Sequence, residues 1–289
     1  MPRAEDNIFA SDLTRRTTPI PVPQRISREL AAAYRALAAD PRYAHFVNIP
    51  DRIIACLNYF GVPGDRESIR TCLHSYYLFI GVVDDAIDNG EILTGVSVLD
   101  HLASPMSPTA EAVEESPVWL VTEVLKHHIA KTSRSLICEK LHALYEQALN
   151  ERAATAVNSY IDFRIAVGTL TAELSYLLIR QHLDSESDAL CLLMKHVGAV
   201  GCLVDSLIDL KSDYALGLLW FTPTAADYVK LMLRTMRLGL RITMSHPLLW
   251  RLFLPAIFDN IRDRLPRSQP RFEENTLVSN GKDQAQSVA

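Results

Sequence analysis

Apolar residues recur at spacings of three and four through most of the chain. Leu141, Leu144, Tyr145, Ala148 and Leu149 are one instance, and they would line one side of a helix. Glycine is scarce, at 11 residues, and hairpin dipeptides are nearly absent. The pattern predicts helices over 25–39, 50–60, 66–89, 92–102, 109–131, 134–152, 156–181, 187–213, 224–244 and 246–264. Asn89-Gly90 reads as a helix C-cap rather than a hairpin turn. The Ser-Pro-rich piece Ser104 to Pro108 reads as a loop, because helical pattern resumes on both sides. No fixed-period repeat is present, which disfavours a solenoid. Residues 1–25 carry Pro19, Pro21 and Pro23, and residues 266–289 are polar without apolar periodicity, so both ends read as flexible arms. The expected architecture is all-α, with one helical domain over 26–265.

Composition narrows the function classes. With 289 residues, 48% of them hydrophobic, the chain can bury one large core or two modest ones. Its formal net charge is −5, and it has no long basic run, so nucleic acid is excluded as an expected partner. The five cysteines stand apart in apolar surroundings, without C-x-x-C pairs, and read as reduced core residues. The N-terminus has neither signal nor transit character, which makes the cytoplasm the default compartment. Lys195, His196 and two aspartates interrupt the most apolar stretch, Leu190 to Leu210, so no transmembrane segment is predicted.

Two acidic clusters carry the candidate chemistry. The run Tyr76 to Val83 ends in Asp84-Asp85-Ala86-Ile87-Asp88, which puts Asp84 and Asp88 one turn apart on a single helix face. Aspartate is unfavourable in a helix's last turn, and no Lys or Arg occupies the i±3 and i±4 positions. Carboxylates crowded in this way call for a cation from elsewhere, and a metal ion is one source. The second cluster, Asp205, Asp209 and Asp213, recurs at i, i+4 and i+8. It forms a slowly winding acidic stripe, with Leu203, Leu207 and Leu210 left to pack the opposite side. Lys211 lies off that stripe and is a candidate for contact with an anionic substrate. An all-oxygen ligand set suits Mg²⁺, which takes one or two carboxylates and fills its remaining positions with water or phosphate oxygens. Two such clusters face to face imply a polyanion between them.

On these residues the chain resembles the class I isoprenoid synthases, the superfamily of trans-prenyl diphosphate synthases and terpene cyclases. The resemblance spans about 70–217. Asp205-Ser206-Leu207-Ile208-Asp209-Leu210-Lys211-Ser212-Asp213 is similar to the second aspartate motif of the prenyl diphosphate synthases, with Ser206 replacing one acid. It also overlays the metal-binding triad of the cyclases. The resemblance implies a single helical bundle around a central cavity. It makes Asp84, Asp85, Asp88, Asp205, Asp209 and Asp213 ligands of Mg²⁺, with three ions per diphosphate. It also implies that Arg164, in Tyr160-Ile161-Asp162-Phe163-Arg164, senses the diphosphate, and that Phe79, five residues before Asp84, limits prenyl length from the pocket floor. Asp84, Asp85, Asp88 and Arg164 are the implied catalytic set.

Departures from the family pattern bear on the reaction. Leu93 and Thr94 stand where chain-elongating synthases carry Arg-Arg, Ala166 stands at their Lys-Thr-Gly lysine, and Gly217-Leu218 replaces their Gly-Lys. The cations for a second diphosphate are therefore missing, which favours ionisation of one substrate over condensation of two. The expected activity is that of a Mg²⁺-dependent terpene synthase, a carbon–oxygen lyase acting on a C15 or C20 prenyl diphosphate. The alternatives are a prenyl diphosphate synthase using isopentenyl diphosphate and a non-catalytic prenyl-diphosphate-binding subunit. A homodimer is left open.

Overall fold

The computed structural model describes residue 21 and residues 26–104 and 116–249. These contain α1 (Arg28–Ala38), α2 (Ala44–Tyr59), α3 (Arg66–Asp88), α4 (Ile92–Ala103), α5 (Pro117–Lys126), α6 (Arg134–Arg152), α7 (Val157–Ile179), α8 (Asp188–Ala215) and α9 (Ala225–Ser245). Short 3-10 turns occupy Pro41–Tyr43, Arg180–His182 and Pro247–Leu249. The only β feature among the described residues is an isolated bridge between Gly64 and Leu183. The all-α expectation therefore holds over these residues. The expected arm and tail lie outside them, as do nearly all of the helix expected over 246–264 and the first residues of the one expected over 109–131.

Local chemistry starts and stops these helices where the pattern placed them. Ser27, Asp65 and Ser187 accept hydrogen bonds from first-turn amides of α1, α3 and α8. Thr224 and Asp227 form a reciprocal capping box on α9. At the end of α3 Asn89 is the C-cap and Gly90 turns the chain at φ +94°, a conformation that side-chain-bearing residues resist. Two boundaries differ from expectation. The helix expected over 50–60 begins earlier, at Ala44, and runs through Pro50, which is buried. The helix expected to reach residue 131 stops at Lys126, and a turn comes next.

α3 and α7 organise the packing. α3 buries Ile69, Leu73, Tyr76, Leu78 and Phe79 in the main core, against α2, α4, α5 and α7. Each fully buried Leu or Ile in such a set contributes roughly 1.5–3 kcal/mol. α7 lies along α6 on one side and α8 on the other. A Cβ on Gly168 would sit 2.3 Å from the Gly198 carbonyl oxygen, and one on Gly198 would sit 2.3 Å from that of Gly168. Only glycine permits this backbone approach, which fixes α7 against α8. A smaller core of Tyr160, Ile161, Leu203, Leu210 and Leu231, with Leu207 packed on it, joins α7, α8 and α9, so the apolar side expected of α8 is the side that packs. By length and composition α8 would be able to cross a membrane, a test that core helices of soluble proteins also meet. All five cysteines are free, and Cys72 and Cys138 are buried.

Candidate functional site

The glycine contact between α7 and α8 sets the register of the polar residues one turn further along. Arg164 precedes Gly168 by one helical turn, and Cys202 comes one turn after Gly198. The Arg164 guanidinium consequently meets the middle of α8. Its Nε donates to Ser206 Oγ at 2.8 Å, and Nη2 donates to the Cys202 carbonyl and to Asp205 Oδ2, each at 3.2 Å. Nη1 donates to Glu151, near the end of α6, at 3.2 Å. The Tyr160 hydroxyl also donates to Ser206 Oγ, at 3.2 Å, and the Ser206 hydroxyl donates in turn to the Cys202 carbonyl. Ser206, the residue that departs from the second aspartate motif, is thus a buried junction between α7 and α8.

The first cluster reaches the same region from α3. Arg152, the neighbour of Glu151, forms a tight ion pair with Asp88, lies 3.9 Å from Asp84 and donates to the Ile87 carbonyl. Asp85 turns the other way, accepting from the Tyr43 hydroxyl at 2.9 Å and from Arg42 at 3.4 Å. His45, at the start of α2, stands 3.7 Å from Asp205. Asp84 and Asp88 of the first cluster and Asp205 of the second therefore belong to one network that runs through α3, α6, α7 and α8.

Electrostatics mark this network as short of positive charge. Desolvation raises the pKa of Asp84, against Arg152 and Arg164 and with the charges of Asp205 and Asp85, but 53% of its side chain is open to solvent, which screens the effect. Burial likewise pushes Asp213 up to about 6, against Arg164 and with Asp205 and Asp84. Glu151 reaches about 7, chiefly by burial, because Arg164 only partly offsets that burial and the repulsion of Asp84 and Asp213. Asp84, Asp85, Asp88, Glu151, Asp205 and Asp213 share the region with Arg42, Arg152 and Arg164, so a bound cation would relieve the repulsion.

The structure brings together most of the residues that the sequence singled out. Asp84, Asp88, Arg164 and Asp205 are in the network, Asp85 lies at its edge, and Asp209 and Asp213 are half-buried on α8. Phe79 is buried in the main core, 3% exposed, and Lys211 is exposed. Arg164 occupies a largely buried ion-pair site between Glu151 and Asp205. The sequence argument that no cation accompanies the first cluster holds only along α3, since Arg152 and Arg42 arrive from elsewhere. Glu151, Arg152, Tyr160, Ser206 and His45 were not anticipated. Their one sequence signal is the pair Glu151-Arg152 closing an amphipathic helix, a common surface pattern.

The donor set fits Mg²⁺ by its chemistry. It consists of hard carboxylate oxygens that outnumber the arginines beside them, and the ion needs only one or two of them. Among the described residues no three His, Cys, Asp or Glu side chains already converge as a closed metal cage. Comparison with known proteins found no matching family model, curated protein or solved structure.

Proposed function

We propose that this protein is a class I terpene synthase that takes a linear C15 or C20 prenyl diphosphate, ionises it with Mg²⁺ and releases diphosphate. The observation that supports this reading best is the coupling between the two clusters. Arg152 stands against Asp84 and Asp88 of α3, and its neighbour Glu151 shares Arg164 with Asp205 of α8 at 3.2 Å, so the end of α6 joins the two clusters. Carboxylates held apart from sufficient counter-charge are disposed to hold cations, and two such sets on facing helices suit a diphosphate bridged between them. The central cavity that the reading requires would lie among α3, α7 and α8.

Asp84 and Asp88 on one side, and Asp205, Asp209 and Asp213 on the other, would hold Mg²⁺. The metal, when bound, neutralises the departing diphosphate. Arg152 and Arg164 add positive charge at the same end. Glu151 and the Tyr160–Ser206–Arg164 hydrogen bonds keep the α7–α8 pair in register while charge builds up at the site. Tyr160 and Phe221, in edge contact at 5.7 Å beside Phe163, offer aromatic surface next to the polar network, where a carbocation would be sheltered.

A second reading has its own support. All the donor nitrogens of Arg164 bond within the protein, which is the pattern expected of a structural clamp in a non-catalytic subunit. Incubation with geranyl, farnesyl and geranylgeranyl diphosphates and Mg²⁺, with hydrocarbon analysis of the products, separates the two. A hydrocarbon product that disappears in Asp84→Asn while the circular dichroism spectrum is kept supports the synthase. Product only after isopentenyl diphosphate is added selects chain elongation, and no product under any condition leaves the clamp reading.

A further inference from the structure

At the end of the bundle opposite the acidic network, the turn after α5, the start of α6 and the turn after α7 enclose a cleft of about 550 Å³. Lys126, His127, His128, Lys131, Arg134 and His182 line it, and no carboxylate does. Burial lowers the pKa of His128 to about 4 and lowers that of His182 as well, so the positive charge facing the cleft comes from Lys131 and Arg134. The separation from the acids is set by α6. Arg134 begins that helix and Glu151 and Arg152 end it, 19 residues along, or about 28 Å.

The walls of the cleft are already tied together. Gln181 Nε2 donates to the His128 carbonyl at 2.9 Å, which joins the turn after α7 to the turn after α5. The His128 ring is anchored 3.1 Å from Ser75 Oγ on α3. Lys126 is 3.7 Å from Glu123, so its charge is balanced locally. The Arg134 Nε–H is buried with no acceptor among the described residues, and the Arg134 side chain lines the cleft. Lys131 is exposed at the rim. The Ser133 hydroxyl bonds back to the Ala130 carbonyl rather than capping α6, so the positive end of that helix adds to the same field.

We propose that this cleft is a second ligand site, one that binds a small soluble phosphorylated molecule through Arg134 and Lys131, independently of metal and of the acidic network. Its volume falls within the range of small-molecule sites and exceeds what a lone phosphate needs, while its basic lining selects an anion. The proposal does not rest on the function proposed above. Because phosphate chemistry also occurs on lipid headgroups, the test separates the two sources.

The full-length chain is titrated calorimetrically in EDTA with inorganic diphosphate and with glycerol 3-phosphate. Phosphatidylcholine vesicles containing phosphatidic acid are tested in parallel by sedimentation. Saturable binding of the soluble anions is expected. It should weaken about tenfold or more in Arg134→Gln and measurably in Lys131→Gln, and be unchanged in Asp84→Asn. Chloride at equal ionic strength should not compete. Lys131→Gln alters an exposed side chain and decides the matter if Arg134→Gln fails to fold. Absence of saturable binding in EDTA, binding indifferent to both variants, binding lost in Asp84→Asn, or capture by the vesicles alone would each overturn the proposal.

Discussion

Replacing Arg164 with Met keeps most of the apolar stem, removes the guanidinium and strands four partners at once. Glu151 and Asp205 lose their shared cation, and the Ser206 hydroxyl and Cys202 carbonyl lose a donor. Breaking a buried pair from one side typically costs about 3–5 kcal/mol, a large share of a stability of roughly 5–15 kcal/mol. The cost depends on pH because Glu151 can escape it by taking up a proton. Its pKa already stands near 7 against an ordinary 4.5, and removing Arg164 raises it further. A raised carboxyl pKa favours folding below the unfolded value, and that benefit is lost as pH rises through the folded value. The variant's deficit should therefore be larger at pH 8 than at pH 5.5. Urea unfolding monitored by circular dichroism at the two pH values measures it, and the double variant Glu151→Gln/Arg164→Met should recover part of the loss at pH 8. A deficit under about 1 kcal/mol at pH 8, or a double variant no more stable than the single one, would refute the buried-network argument.

The same geometry sets further outcomes. Gly168→Val forces a side chain into the Gly198 backbone and should cost about 1–3 kcal/mol or more, lowering Tm. Gly201→Ala, on the same α8 with open space around it, should be neutral or stabilising by up to about 1 kcal/mol, and thermal melts of the pair compare them directly. For the unmodified protein, Glu151 near 7 and Asp213 near 6 contribute stability below about pH 4–5 that is lost as pH rises toward 7. The Glu151 part alone amounts to about 3 kcal/mol, so Tm should fall between pH 5.5 and pH 8 where these groups dominate, and Mg²⁺ should restore it at pH 8 but not at pH 5.5. Asp84→Asn, which removes an exposed carboxylate set among other acids, should leave Tm at pH 8 unchanged or raised. Phe79→Ala should cost about 3–5 kcal/mol, as expected of a core aromatic, which makes Phe79→Leu the better variant for asking whether this position limits substrate length.

The helices were legible because helix formation and burial leave a local periodic trace. The 3.6-residue apolar spacing marked α6, α7, α8 and α9 to within two residues, and Asn89-Gly90 marked the end of α3. The acidic stripe of α8 and its apolar back were legible for the same reason, since both are properties of one helix. The early start of α2 was not legible, because a proline lacks the amide donor of a helix interior and only the tertiary packing that buries Pro50 offsets that cost.

What the sequence by itself determined is therefore the set of helices, the faces they present and the placement of two acid clusters on two of them. The tertiary structure alone decided which charges meet. Arg152 pairs with Asp88, Arg42 with Asp85 and Arg164 with Asp205, partners more than three dozen residues apart along the chain, and no i±4 rule reaches that far. The same holds for the Gly168–Gly198 contact that sets the α7–α8 register, and for the basic cleft assembled from separate turns. Electrostatic pairing acts through space, and along a chain folded back on itself the nearest charge in space is rarely the nearest in sequence.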